Sequence, residues 1–90
     1  MLQMKEALLL AEKNDHLFVL DIESGRVHSF NCTAKVIVQL CLDPILFEDL
    51  VLEFQRYFPI SRGEAEEDIR EVLAMMNKYG LLREHGPDDV

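Results

Sequence analysis

The stretch Arg26-Val-His-Ser-Phe-Asn-Cys-Thr-Ala34 limits what this chain can fold into more than any other. Val27 and Phe30 favour extended backbone, in a run without Gly or Pro. Asn31 is a strong N-cap, because its side-chain oxygen can accept an N–H that the first helical turn leaves without a partner. From Ala34 to Leu42 the residues are apolar enough for a buried helix. The segment is therefore a short strand that runs straight into a helix. A strand placed this way leaves one sheet edge free, and that edge is the expected place for a partner to bind.

The flanking sequence completes the pattern. Ala7 to Ala11 is read as a first strand, although its Leu and Ala content also suits a helix. Lys13-Asn14-Asp15 is a turn signal, and His16 to Ile22 is a second strand. In it Leu17 and Val19 face one way and Phe18 and Leu20 the other, so both faces are expected to be covered. Glu23-Ser24-Gly25 turns the chain, with Gly25 free to take positive φ. The third strand, Arg26 to Phe30, puts His28 and Phe30 on one face and Val27 and Ser29 on the other. A first helix is expected over Thr33 to Leu42, with Ala34, Ile37, Val38 and Cys41 as its buried stripe, until Asp43-Pro44 breaks it. A second runs from Phe47 to Tyr57. Leu46 and Leu52 fall outside its apolar stripe, either as exposed leucines or as a contact with another protein. Ser61 and Glu64 form a capping box that opens a third helix, which ends at Tyr79 with Gly80 as C-cap. Leu81 and Leu82 return to the core. The fold class is α+β and winged-helix-like, a three-stranded antiparallel sheet followed by three helices. Residues 1–83 are read as the domain and 84–90 as a flexible C-terminal tail, with looseness expected from Arg83 onward.

Composition removes whole classes of function. Ninety residues, 49% of them hydrophobic, support a single core. The net charge of −8 and nine scattered Lys and Arg argue against nucleic acid. No apolar run approaches the roughly 20 residues of a membrane span, and Met1-Leu-Gln-Met-Lys-Glu has no signal-peptide pattern, so a cytoplasmic protein without membrane contact is expected. Cys32 and Cys41 lie about 13 Å apart on one helix at 1.5 Å rise per residue. That is too far for a disulfide, and two reduced, partly buried thiols are expected. No metal-ligand spacing appears. No Ser/His/Asp or Cys/His set appears either, and the carboxylates are too many and too solvated to single out an acid–base pair. The expectation is a protein that is not an enzyme and holds no cofactor or metal.

Leu17-Phe-Val-Leu-Asp-Ile-Glu-Ser-Gly-Arg-Val-His-Ser-Phe-Asn-Cys-Thr-Ala34 resembles the PqqD-like family. These domains are also called recognition elements for precursors of ribosomally made, post-translationally modified peptides (RiPPs). Phe47-Glu-Asp-Leu-Val-Leu-Glu-Phe54 resembles the family's second helix. Asp68-Ile-Arg-Glu-Val-Leu-Ala-Met-Met-Asn-Lys-Tyr-Gly-Leu-Leu82 resembles its third helix and ending. Between the first two helices, Asp43-Pro-Ile-Leu46 replaces the family's usual Gly and Ser or Thr cap. The resemblance implies a non-catalytic peptide chaperone that binds the leader of a precursor peptide. It would present that leader to a separate modifying enzyme or leader protease, as in radical SAM or lasso peptide pathways.

In that reading the leader adds as a strand along Arg26, Val27, His28, Ser29 and Phe30, beside the third helix. On that helix Ala65, Ile69, Val72, Leu73 and Met76 form the core stripe. Asp68, Val72, Met75 and Tyr79 form an adjacent strip, the candidate groove wall. Met76 is counted with the peptide-binding set. Met75 and Tyr79 either widen the groove or cap the core, and His28 is either a peptide contact or a half-buried strand histidine. Two other readings stand beside this one. One is an adaptor that uses the same edge for an unrelated protein. The other is a winged-helix DNA binder, which the acidic run Glu64 to Glu71 opposes. A free edge also leaves open a homodimer through strand pairing.

Overall fold

The computed structural model describes residues 1–84. The chain forms β1 (Leu2–Met4), β2 (Leu8–Lys13), β3 (His16–Asp21), β4 (Val27–Phe30), α1 (Cys32–Leu40), α2 (Phe47–Tyr57), α3 (Arg62–Lys78) and β5 (Leu82–Glu84). β2, β3 and β4 make an antiparallel meander with β3 in the centre. This is the expected α+β order of three strands followed by three helices. The β2–β3 loop is two residues long, and Asn14 and Asp15 both take positive φ, 52° and 63°. That is the turn whose twist matches a hairpin, and it suits residues whose short polar side chains tolerate left-handed backbone.

Asp21 organises the next turn. Its carboxylate accepts the N–H groups of Glu23 (3.0 Å) and Ser24 (3.4 Å) and meets Lys5 Nζ at 2.9 Å. The Asp21 carbonyl accepts the N–H of Gly25, whose φ is +74°. The Lys5 ammonium holds the Asp21 carboxyl below its ordinary range, helped by the Ser24 and Glu23 N–H groups and opposed by burial. Asp21 is the one buried charged side chain among the described residues, and its partner Lys5 is half-buried.

The helices cover one face of the meander. Leu17, Val19 and Phe30 point into a core shared with Ile37, Val38, Leu50, Phe54, Ile69 and Met76. α1 starts at Cys32 because Asn31 Oδ1 accepts the Ala34 N–H at 3.0 Å. It ends at Leu40, two residues short of the expected Leu42, and Leu42 is exposed. α3 starts where Ser61 Oγ accepts the Glu64 N–H. At its C-terminal end Gly80 takes φ +72°, and the Leu81 N–H reaches back to the Met76 carbonyl.

Three expectations are corrected. The opposite face of β3 is not covered, and Phe18 is exposed. Two-sided apolar alternation shows that a strand can be buried on both sides, but no element of this chain lies over the second side. Arg83 and Glu84, assigned to a loose tail, belong to β5 and pair with Gln3 and Leu2 of β1. Residues 85–90 of that expected tail lie outside the described residues. The thiols are not both half-buried. Cys32 is exposed, and Cys41 is wholly buried, which pushes its pKa up to about 12. Both are free, as expected.

β1 and β5 form a second, two-stranded sheet that was not anticipated. β1 is also tied to the segment between α1 and α2, where Leu2 and Ile45 exchange backbone bonds of 2.8 and 2.9 Å and the Met4 N–H donates to the Cys41 carbonyl. The unusual Asp43-Pro-Ile-Leu corner thus anchors the N-terminus. No helix among the described residues is long and apolar enough to cross a membrane.

Candidate functional site

The meander has a free edge at β4, and its register decides which backbone groups that edge offers. The Asp21 N–H donates to the Arg26 carbonyl, and the pairs Val19↔His28 and Leu17↔Phe30 continue the same register. Hydrogen-bonded and non-bonded pairs alternate in an antiparallel ladder. The Arg26 C=O, and the N–H and C=O of His28 and Phe30, therefore turn toward β3. Val27 and Ser29 turn theirs outward. The expected five-residue ladder narrows to two residues with four outward backbone groups, spaced for an added strand.

Side chains follow the same alternation. Phe30 goes into the core and is buried. His28 faces the helices and stacks on Tyr79, with ring centroids 4.3 Å apart and planes at 20°. Its Nε2 is the one buried side-chain polar atom without a hydrogen-bond partner among the described residues. Arg26 precedes β4, is exposed, and donates its N–H to Ser24 Oγ.

Beside the edge, α1 and α3 enclose a groove made of two adjoining depressions. One, of about 320 Å³, is lined by Asn31, Thr33, Ala34, Asp68, Glu71, Val72 and Met75. The other, of about 270 Å³, is lined by His16, Ser29, Phe30, Asn31, Ala34 and Met75. Met75, Asn31 and Ala34 are common to both. The groove thus runs from the outward backbone of Ser29, past the start of α1, and along one flank of α3. Met75 and Tyr79 are 41% and 40% exposed, so neither is sealed into the core.

The expected wall of Asp68, Val72 and Met75 is assembled in one place, and Tyr79 sits one turn further on against His28. Met76 is a correction. Its side chain is wholly buried, and one residue of helical rotation, about 100°, carries it from the groove to the core. The sequence reading missed Asn31, Thr33, Ala34, Glu71 and His16. It treated Asn31-Cys-Thr-Ala34 as a structural joint only. The signal was present, since a helix that begins where an edge strand ends must flank that edge. Asp68 and Glu71 make the α3 rim acidic, and neither forms a salt bridge with a described residue; Lys35 of α1 pairs with Glu12 at 3.6 Å. Among the described residues no cluster of His, Cys, Asp and Glu could hold a metal.

The fold belongs to a known class. Residues 16–82 match the family model described as coenzyme PQQ synthesis protein D (PqqD), so the chain belongs to the PqqD family. Two solved structures share the fold. One is TbiB1 in complex with the TbiA(beta) leader peptide, with TM-score 0.81 and 19% identity, covering 93% of this chain and 98% of that one. The other is a lasso peptide synthetase B1 complexed with the leader peptide, with TM-score 0.76 and 24% identity, covering 92% and 98%. A search of curated protein sequences finds no match.

Proposed function

We propose that this protein binds the leader of a ribosomally made precursor peptide as a fourth strand on β4. It presents that peptide to a separate enzyme, a leader protease or a modifying enzyme, and performs no chemistry itself. The observation that carries the reading is the coincidence of two features. Four outward backbone groups on Val27 and Ser29 lie beside a preformed groove whose wall is Val72 and Met75. Main-chain bonds supply affinity in strand addition, and flanking pockets supply specificity. A flexible thioether suits a wall that must fit a peptide side chain. Both fold relatives carry a leader peptide in their solved structures, which supports the same use here. Asp68 and Glu71 at the α3 end favour a leader with a basic residue next to its apolar anchor.

The test is isothermal titration of the protein with the leaders of candidate precursor peptides from its source genome, together with amide NMR. Binding at micromolar or tighter Kd is expected, with the largest shifts at Val27, Ser29 and the Val72–Met75 flank. Absence of heat, together with unshifted β4 amides, refutes the reading.

A further inference from the structure

β2, β3 and β4 present a second surface that the groove does not use. Leu9, Ala11, Phe18, Leu20 and Val27 lie on the face turned away from the helices, by the register Leu9↔Leu20, Ala11↔Phe18 and Leu20↔Val27. Ile22 continues the row one residue past β3. Leu9, Ile22 and Val27 are 58%, 54% and 63% exposed. An antiparallel sheet open to water normally alternates apolar-in with polar-out, and this one is apolar on both sides. The chain carries 17 acidic residues, yet no strand residue on this face is one of them. Its polar members are Ser29 at the β4 edge, with Lys13 and His16 at the hairpin tip.

We infer that this face docks the enzyme that acts on the bound precursor, a globular protein with an apolar patch and a carboxylate placed to meet Lys13. The inference rests on the leader-binding reading. Two arguments select this occupant. The first is continuity: Val27 offers its backbone to the free edge and its side chain to this face. A strand added to β4 therefore extends the same face, and whatever covers the face touches the peptide too. The second is area. Three strands at about 4.8 Å spacing and six residues of about 3.4 Å give roughly 300 Å². A stable interface needs roughly 800 Å² per partner, so a second copy seated on this face alone falls short. A partner that spans the face and the added strand, and binds transiently, fits a surface of this size.

The test uses the full chain, a precursor peptide whose leader it binds, and the leader protease that cleaves that precursor. Leader affinity is measured by titration and leader cleavage by mass spectrometry. The double variant Leu9→Glu/Ile22→Glu is expected to keep leader Kd within about twofold while cleavage in its presence slows at least tenfold. Leu9→Thr/Ile22→Thr keeps strand propensity and is expected to slow cleavage at least threefold, so it decides the matter if the Glu variant does not fold. Wild-type cleavage with the folded Thr variant overturns the inference alone. So does a wild-type dimer in sedimentation that the variants abolish without affecting cleavage, since the face then belongs to a second copy. Failure of the wild-type protein to bind the leader overturns the leader-binding reading, and this inference with it.

Discussion

Replacing Ser29 with proline separates leader binding from folding. The N–H of Ser29 points away from β3, so Ser29→Pro removes no bond of the meander. Proline is tolerated in edge strands with its nitrogen turned outward. An added strand loses one N–H donor, worth about 0.5–1.5 kcal/mol net. The ring also stands where the incoming carbonyl would lie, and that carbonyl, left without a donor, costs about 1 kcal/mol or more. Together these come to about 1.5–3 kcal/mol, or roughly a ten- to hundredfold weaker Kd at 1.4 kcal/mol per decade. Stability should change by under about 1 kcal/mol, a shift of no more than roughly 4–8 °C in a domain of this size. His28→Pro reverses the pattern. The His28 N–H belongs to the ladder with Val19, whose side chain is wholly buried. Its removal leaves a carbonyl unsatisfied at about 1–3 kcal/mol and also discards the stack on Tyr79. Titration with the leader and thermal unfolding followed by circular dichroism read the two effects separately. A folded Ser29→Pro protein that binds the leader as tightly as wild type would falsify strand addition at β4.

Three further outcomes are expected. His28→Phe keeps a ring against Tyr79 and removes the partnerless Nε2, so the melting temperature should hold or rise. Leader Kd should stay within about twofold, because Nε2 is buried, and a loss of about tenfold, as for one lost hydrogen bond, shows that the peptide reads this atom. Asp21 has a folded pKa below its ordinary 3.8, so its contribution is present above that value and is lost as pH falls through the folded one. Lys5 is raised above 10.5, chiefly by Asp21, so its contribution is present below that value and is lost as pH rises past it. Asp21→Asn should therefore lower the melting temperature at pH 7 and flatten its dependence on pH below about 4; equal acid limbs refute the assignment. A thiol reagent at pH 8 should modify Cys32 in the native protein and leave Cys41 untouched until denaturant is added. Two fast-reacting thiols in native buffer contradict the burial of Cys41.

What the sequence made legible was local. The cap at Asn31, the capping residue Ser61, the tight turn at Asn14-Asp15 and the helical stripes are all set by neighbours within four residues. The misses were set by distant ones. β1 and β5 are three residues each, too short for any period, and they exist because they pair with each other across the length of the chain. The bare outer face of the sheet was misread for the same reason. Alternation records that Phe18 and Leu20 share a face, but not whether anything covers it. On α3 the core stripe was read correctly in outline, and the error came at one residue, Met76, which was counted with the peptide-binding set beside Met75 although its side chain is wholly buried. A 100° step there is the difference between core and groove.

The same one-residue alternation divides the work of β4. His28 and Phe30 spend both backbone and side chain on the domain itself, Phe30 in the core and His28 against Tyr79. Val27 and Ser29 contribute neither side chain nor outward backbone to the interior, so the fold places few demands on them. Half of a four-residue strand is thus free to serve a partner without loss of stability. The residue that follows shares this economy. Asn31 ends the strand and caps α1 through its Oδ1, and it also lines both halves of the groove. Substitution at Asn31 should therefore disturb fold and binding together, whereas substitution at Ser29 disturbs binding alone. If β4 were only a structural strand, the two positions would differ in stability and in nothing else.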